Sequence, residues 1–171
     1  MRKLPMFKYN RNAYANGSVI NEIGTCDCCG LKTTHYVPNM YAEKNIKCVC
    51  ISCLISGKAA EELNGTFIQD AEVVLSDKEK TDTLFKRTPG YLSWQGENWL
   101  VCCDDYCDFV GPVGAQELKD MGIFDEVTVE YAKKWNLRSS TFEDLSKTGS
   151  PGGYLFQCLH CKKYHLDLDF D

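Results

Sequence analysis

Eleven cysteines stand in this chain of 171 residues, at positions 26, 28 and 29, at 48, 50 and 53, at 102, 103 and 107, and at 158 and 161. Each group contains a short-spaced pair. Cys26 and Cys29, Cys50 and Cys53, and Cys158 and Cys161 are C-x2-C pairs, whereas Cys103 and Cys107 are C-x3-C. Two residues between thiols let one tight turn aim both sulfurs at a single tetrahedral ion, with metal–sulfur distances of about 2.3 Å. Gly30 follows the first pair directly and permits the left-handed backbone that closes such a turn. Cysteines that are adjacent or one residue apart fit a single ion less well, so Cys28 is expected to point elsewhere.

Spacing then sorts the pairs into sets. Twenty residues separate Cys29 from Cys50, which makes Cys26, Cys29, Cys50 and Cys53 a C-x2-C-x20-C-x2-C zinc pattern. A second set is expected from Cys103, Cys107, Cys158 and Cys161, across 50 intervening residues. Cys28, Cys48 and Cys102 are left over, with two exchanges open: Cys48 for Cys50, and Cys102 for Cys103. The expectation is two zinc ions, each closed by four thiolates and therefore structural. An iron–sulfur cluster takes four thiolates too, but zinc is the commoner occupant of paired knuckles. A thioredoxin-like redox pair needs a βαβ unit, and the pattern shows none. Among the three histidines, His160 and His165 lie close enough to Cys161 to replace a ligand, while His35 reads as an ordinary surface residue.

The surroundings favour ligands over disulfides. The start, MRKLPMFKYN, is basic with no apolar stretch behind it, and no run reaches the roughly 18 apolar residues of a membrane span. A reducing cytoplasm is expected, without membrane insertion, and there clustered cysteines bind metals more often than they pair. A hydrophobic content of 44% with 12% aromatic residues is enough for a packed core. The net charge of −5 is uneven: residues 1–60 hold eight Lys/Arg against three acids, and residues 61–171 hold 11 against 21. The acidic part would repel a phosphate backbone, and the bases of the first part are scattered. Nucleic acid is thus disfavoured and a protein partner is expected.

The elements that must position these thiols can be sketched. Val19, Ile20 and Ile23 lead into Cys26 as a strand, and residues 32–37 (KTTHYV) form another, so a hairpin flanks the first knuckle. After Cys50, CLISGKAAEEL reads as a short helix stopped at Asn64 and Gly65. This is a treble-clef-like arrangement. Ser76 and Glu79 fit a capping box for a helix to about Arg87, ended by Thr88, Pro89 and Gly90. Residues 91–102 end as a strand. Helices are expected over 114–121, with Gly122 just past the end, and over 125–135. Ser140 and Glu143 offer another capping box, and residues 148–153 are a loop. Residues 154–170 read strand, knuckle, strand. There Leu166 and Leu168 alternate with Asp167 and Asp169, the period of a half-buried strand. The fold class expected is α+β: a small zinc-knuckle module over residues 1–75, packed with a second, zinc-ribbon-like α+β module over residues 76–171.

Four stretches carry a resemblance: CDCCG, CVCISCLISGKAAEELNGTF, RTPGYLSWQGENWLVCCDDYCDFVG and YLFQCLHCKKYHLD. Together they resemble the CbrC family of bacterial proteins, which is linked to colicin tolerance and has no settled biochemical activity. The resemblance implies metal binding in a bacterial cytoplasm. It also implies a non-cysteine at the positions of Cys48 and Cys102, which favours Cys50 and Cys103 as ligands. Function is read as non-catalytic binding, with no catalytic residue assigned. The partner surface is expected on residues 87–99, RTPGYLSWQGENW, where Tyr91, Trp94 and Trp99 are of the types enriched in interface hot spots; for Trp99 a place in the core competes. The competing reading is an enzyme that uses the acids around Cys107, namely Asp104, Asp105, Asp108 and the upstream Glu97. Against it, those acids read as a solvated turn without a histidine or serine partner at a recognisable spacing.

Overall fold

The computed structural model describes residues 4–170. Up to residue 67 the chain forms only very short elements. Strands β1 (Gly24–Thr25) and β2 (Lys32–Thr33) pair as an antiparallel hairpin with Gly24 opposite Thr33. Strand β3 (Tyr36–Val37) pairs with β4 (Val49–Cys50), and helix α1 (Ile51–Ile55) follows at once. The single helix expected after Cys50 is broken at Gly57, whose φ of +77° ends α1 and starts α2 (Lys58–Glu62). A left-handed residue cannot sit within a right-handed helix, so one apolar pattern gives two helices of five residues.

The rest is more regular. Strand β5 (Asp70–Ala71) runs parallel to β6 (Asn98–Trp99), with α3 (Lys78–Arg87) between them in sequence. The cap of α3 is Asp77, not Ser76: its carboxylate accepts from the N–H groups of Glu79 and Lys80. Hairpin β7 (Val101–Cys102) and β8 (Asp105–Tyr106) leads into β9 (Asp108–Val113). Helices α4 (Ala115–Asp120) and α5 (Phe124–Trp135) come next, then β10 (Gly152–Gln157) and β11 (Tyr164–Asp169). The last three strands form an antiparallel sheet in the order β11–β10–β9. The capping box expected at Ser140 does not form. A 3-10 turn spans Ser139–Phe142 instead, preceded by Arg138 with no side-chain cap.

The fold is thus α+β with small sheets, and its apolar residues gather in three clusters. The first joins Val19, Val37, Val49, Ile51, Leu54 and Phe67 to Cys26, Cys50 and Cys53. The second is aromatic. Tyr91 stacks on Phe109 at 4.3 Å between ring centroids, and Trp99 meets Phe156 edge-on at 5.6 Å. The third lies between α4, α5 and the sheet, with Val127 and Tyr131 against Leu155, Leu166 and Leu168. Strand β11 departs from the expected half-burial, because Asp167 and Asp169 are nearly as buried as Leu166 and Leu168, with which they alternate. Helix α5 packs on β11, and residues 94–98 bond to the acids, so both faces of this edge strand are covered.

Candidate metal centres

The first set is assembled by the two hairpins and α1. The Sγ atoms of Cys26, Cys29, Cys50 and Cys53 all lie within 4.8 Å of one another. Cys29 and Cys50 are 3.9 Å apart, sulfur to sulfur. Four sulfurs bound tetrahedrally at about 2.3 Å stand about 3.8 Å from each other, so the spacing suits one ion of zinc size. The knuckle closes where Gly30, at φ +72°, donates its N–H to the Cys26 carbonyl at 2.8 Å. Strand β4 then brings Cys50, and the first turn of α1 brings Cys53. The Cys50 N–H donates to Cys26 Sγ at 3.2 Å.

Electrostatics favour the loss of one proton from this set. Burial alone would raise the Cys26 thiol, but the backbone N–H groups of Cys50, Cys29 and Cys28 outweigh it and bring it down to about 7. Burial pushes Cys53 up, reinforced by thiol contacts with Cys50, Cys28 and Cys29. One thiolate thus sits among thiols that share its hydrogen bonds, a donor set a divalent ion can complete. The remaining two cysteines sit beside this set. Cys28 Sγ lies 3.5 Å from Glu62 Oε2. Cys48 is buried, and its thiol is pushed up to about 11 by burial first and by the neighbouring Cys26 and Asp27.

The second set differs from the spacing argument in one residue. Cys103, Cys158 and Cys161 come together with Cys102, all four Sγ atoms within 4.8 Å, and Cys107 is not among them. The cause is the turn between β7 and β8. Cys103 and Asp104 both have positive φ, +53° and +55°, so the hairpin reverses in two residues. That puts Cys102 and Cys103 at the tip. Cys107 returns along the hairpin beyond β8, donates its N–H to the Leu100 carbonyl at 3.0 Å and is fully buried in the aromatic cluster. Burial pushes its thiol well up. Cys102 therefore enters in place of Cys107, not in place of Cys103. The C-x3-C spacing hid this, because a two-residue reversal is expected at Asn-Gly or Asp-Gly and not at Cys-Asp.

Here Cys102 Sγ lies 3.7 Å from Cys161 Sγ and 3.8 Å from Cys103 Sγ. The second knuckle is closed by Lys162 at φ +65° and by the Cys158 N–H donating to the Lys163 carbonyl at 2.9 Å. Burial raises the Cys158 thiol, but the backbone N–H groups of Cys161 and His160 outweigh it and bring it down to about 6. Cys158 is buried, Cys102 half-buried, and Cys103 and Cys161 exposed.

The other residues singled out have separate places. His160 Nε2 lies 3.1 Å from Asp105 Oδ2, and His165 Nδ1 lies 3.3 Å from Glu130 Oε1; neither joins a sulfur set. His35 Nδ1 lies 3.1 Å from the Thr34 hydroxyl. The acids around Cys107 are not one solvated turn. Asp104 is exposed, but Asp105 is buried and accepts from the Tyr9 hydroxyl at 2.8 Å and from Lys8 Nζ at 3.1 Å. Burial opposes its ionisation, yet these donors and His160 hold its carboxyl below the usual range. Asp108 is buried and accepts the Arg11 N–H at 2.9 Å. Glu97 is buried and accepts from the Tyr41 hydroxyl. These acids fasten separate segments to one another. Of the aromatic trio on residues 87–99, Tyr91 and Trp99 are core residues and Trp94 is 71% exposed. Among the described residues no helix is long and apolar enough to cross a membrane.

Comparison with known proteins adds a family. The model of the uncharacterised protein family UPF0167 matches residues 4–170. The UPF0167 protein PA1536 of Pseudomonas aeruginosa is 34% identical over 176 residues, covering 98% of this chain and 97% of its own length. The UPF0167 proteins Mb2317 of Mycobacterium bovis and MT2352 of Mycobacterium tuberculosis are each 31% identical over 178 residues, covering 99% of this chain and 95% of their own length. No solved structure matches. The resemblance to CbrC is thereby corrected: the family model and the curated relatives all carry the UPF0167 name, nothing points to CbrC, and the link to colicin tolerance falls with it.

Proposed function

The chain belongs to the UPF0167 family, and from its two four-cysteine sets we propose a zinc-stabilised binding protein that acts through a protein partner and performs no catalysis. The observation that carries this reading is the gathering of four sulfurs within 4.8 Å of one another in each set, with Cys29 and Cys50 3.9 Å apart in the first and Cys102 3.7 Å from Cys161 and 3.8 Å from Cys103 in the second. Four thiolates fill the shell of a zinc ion and leave no vertex for a water or a substrate. The hairpin β1–β2 with α1 supports a treble-clef reading of the first set, and the hairpins β7–β8 and β10–β11 support a ribbon reading of the second. The bonding of Asp105, Asp108 and Glu97 supports a structural part for those acids. A reducing cytoplasm suits eleven thiols divided between ligand sets and cores.

The test is elemental analysis of purified protein by mass spectrometry, joined to X-ray absorption at the metal edge. About two zinc ions per chain, each with four sulfur neighbours, is the expected result. Iron in place of zinc, or an oxygen in the zinc shell, overturns the proposal.

A further inference from the structure

An open cleft of about 430 Å³ runs between β5, residues 95–98, α5 and β11. Its walls include four carboxylates, Asp70, Glu97, Asp167 and Asp169, and two exposed aromatic rings, Trp135 and Phe170. We infer that this cleft binds a lysine or arginine side chain presented by a basic segment of a partner protein. The inference rests on the binding reading above and gives it a partner chemistry.

The first argument is a missing ion pair. Elsewhere this chain pairs its buried carboxylates: Asp105 with Lys8 and His160, and Asp108 with Arg11. Glu97, Asp167 and Asp169 are 6%, 9% and 6% exposed, and among the described residues none of them, nor Asp70, forms an ion pair. They are held by neutral donors. Asp169 accepts from the N–H groups of Trp94 at 2.8 Å and Gln95 at 3.2 Å and from the Tyr154 hydroxyl at 3.1 Å. Glu97 accepts from the Tyr41 hydroxyl and the Gln69 N–H. Asp167 accepts from the Asn98 amide at 3.4 Å and from the Leu168 backbone N–H. Buried carboxylates are stable when paired or fully hydrogen-bonded, and an incoming ammonium or guanidinium would supply the absent charge. Burial acts against ionisation here, raising Glu97 and pushing Asp167 up to about 6, a penalty that a cation would relieve.

The second argument is independent of charge. Trp135 and Phe170 are 53% and 39% exposed, and Trp135 is braced by Tyr131 at 6.1 Å between ring centroids. Such rings cover the apolar stem of a basic side chain and attract its head. The chain already uses Trp135 in this way, with Lys134 Nζ 5.4 Å from its centroid. The occupant is a peptide and not a free amine, because the apolar surface continues outside the cleft. Leu92 and Trp94 are 65% and 71% exposed on the segment that Asp169 fastens. A free amine would leave that surface bare.

The experiment uses the full metal-loaded chain and tryptophan fluorescence. Three probes are titrated: a short peptide of alternating lysine, arginine and leucine, the same peptide with glutamates for its basic residues, and spermidine. The basic peptide should bind, the acidic one should not, and spermidine should bind at least about tenfold more weakly. Asp167→Asn keeps the shape of the wall and should weaken the basic peptide about tenfold, with a shallower salt dependence. Trp135→Ala alters a surface ring and should weaken it several-fold, which keeps the test decisive if Asp167→Asn fails to fold. Absence of binding, equal binding of the acidic peptide or of spermidine, or unchanged affinity in folded variants overturns the inference. Metal content measured on the same samples separates the two claims. Lost peptide binding with two zinc ions retained counts against the cleft alone, and wrong metal content with peptide binding intact counts against the metal reading alone.

Discussion

The two sulfur sets have the same composition and opposite settings. In the first, three of the four cysteines are buried members of an apolar cluster, and the surrounding elements are strands of two residues and helices of five. Helices shorter than about 12 residues and lone hairpins are marginal in water. That region holds its short elements together through one apolar cluster in which the sulfurs take part. In the second, the sulfurs crown two hairpins, with Cys103 and Cys161 exposed. Beneath them lie strands of six residues, a helix of twelve and a packed aromatic core. Zinc bound to small peptides contributes on the order of 10–16 kcal/mol, comparable to the roughly 5–15 kcal/mol that stabilises a whole domain. The difference teaches that one sulfur set is built into the apolar cluster of its region, while the other sits at the rim of a region whose core lies beneath it.

The sharpest way to break this contrast is to remove one sulfur from each set. Cys26→Ser should reduce the metal content by about one ion, destabilise the chain by several kcal/mol and open the amides of residues 19–67 to hydrogen exchange. Cys161→Ser should also lose about one ion, yet the amides of β9, β10 and β11 should stay protected. Equal loss of protection in the two regions would refute the contrast. A second pair tests the ligand exchange at the hairpin tip. Cys102→Ala should lose the second ion, whereas Cys107→Ala should keep both and lower stability by about 1 kcal/mol through lost packing. Retention of two ions by Cys102→Ala would return Cys107 to the ligand set.

These differences also decide what could be read from the chain. The first four sulfurs were legible because C-x2-C is a local code: two intervening residues set the spacing of the thiols whatever surrounds them, and at the first pair Gly30 closes the turn. The second knuckle, Cys158 and Cys161, was legible for the same reason. Its partner was not, since Cys103 and Asp104 take left-handed backbone without the residues that announce it, and the register of one hairpin selects Cys102 over Cys107. The α4 and α5 spans were legible from their helical pattern and the glycine after α4, and α3 from a capping signal whose cap proved to be Asp77 and not Ser76. The burial of Asp167 and Asp169 was not. Alternation reports one covered face, and only the folding of residues 94–98 across β11 covers the other.

That covered acid sharpens the comparison further, because the stronger region carries a destabilising charge of its own. The carboxyl of Asp167 is pushed up to about 6, by burial first, with the nearby Asp169 adding to it against the Asn98 and Leu168 hydrogen bonds and Lys134. A group whose folded value lies above its unfolded one contributes full stability below the unfolded value and loses it as pH rises through the folded value. The loss therefore develops between about pH 4 and pH 6 and is worth at most about 3 kcal/mol. Asp167→Asn should unfold at higher urea than the parent at pH 7.5, and the gap should close near pH 4. A gap of the same size at both values would mean that the carboxyl ionises freely in the fold.

The smallest expected effect is the cleanest comparison, because the local change is matched. Gly30 and Gly122 have φ of +72° and +70°, and a Cβ added at either meets nothing within 4 Å. Alanine at either position should therefore cost the same, about 1–2 kcal/mol of left-handed strain. The consequences should differ. Gly30 closes the knuckle that delivers Cys29, so its strain bears on the sulfur set and on the short elements packed around it. Gly122 follows α4 on the apolar cluster shared with the sheet, where strain can be absorbed by fraying one short helix end. Gly30→Ala should release its first ion to a chelator faster and lose exchange protection across residues 19–67. Gly122→Ala should leave both ions in place and show its loss only around residues 118–123. Equal chelator sensitivity in the two variants would mean that the first region depends on its sulfurs no more than the second does, and the contrast between the regions would then reduce to solvent exposure alone.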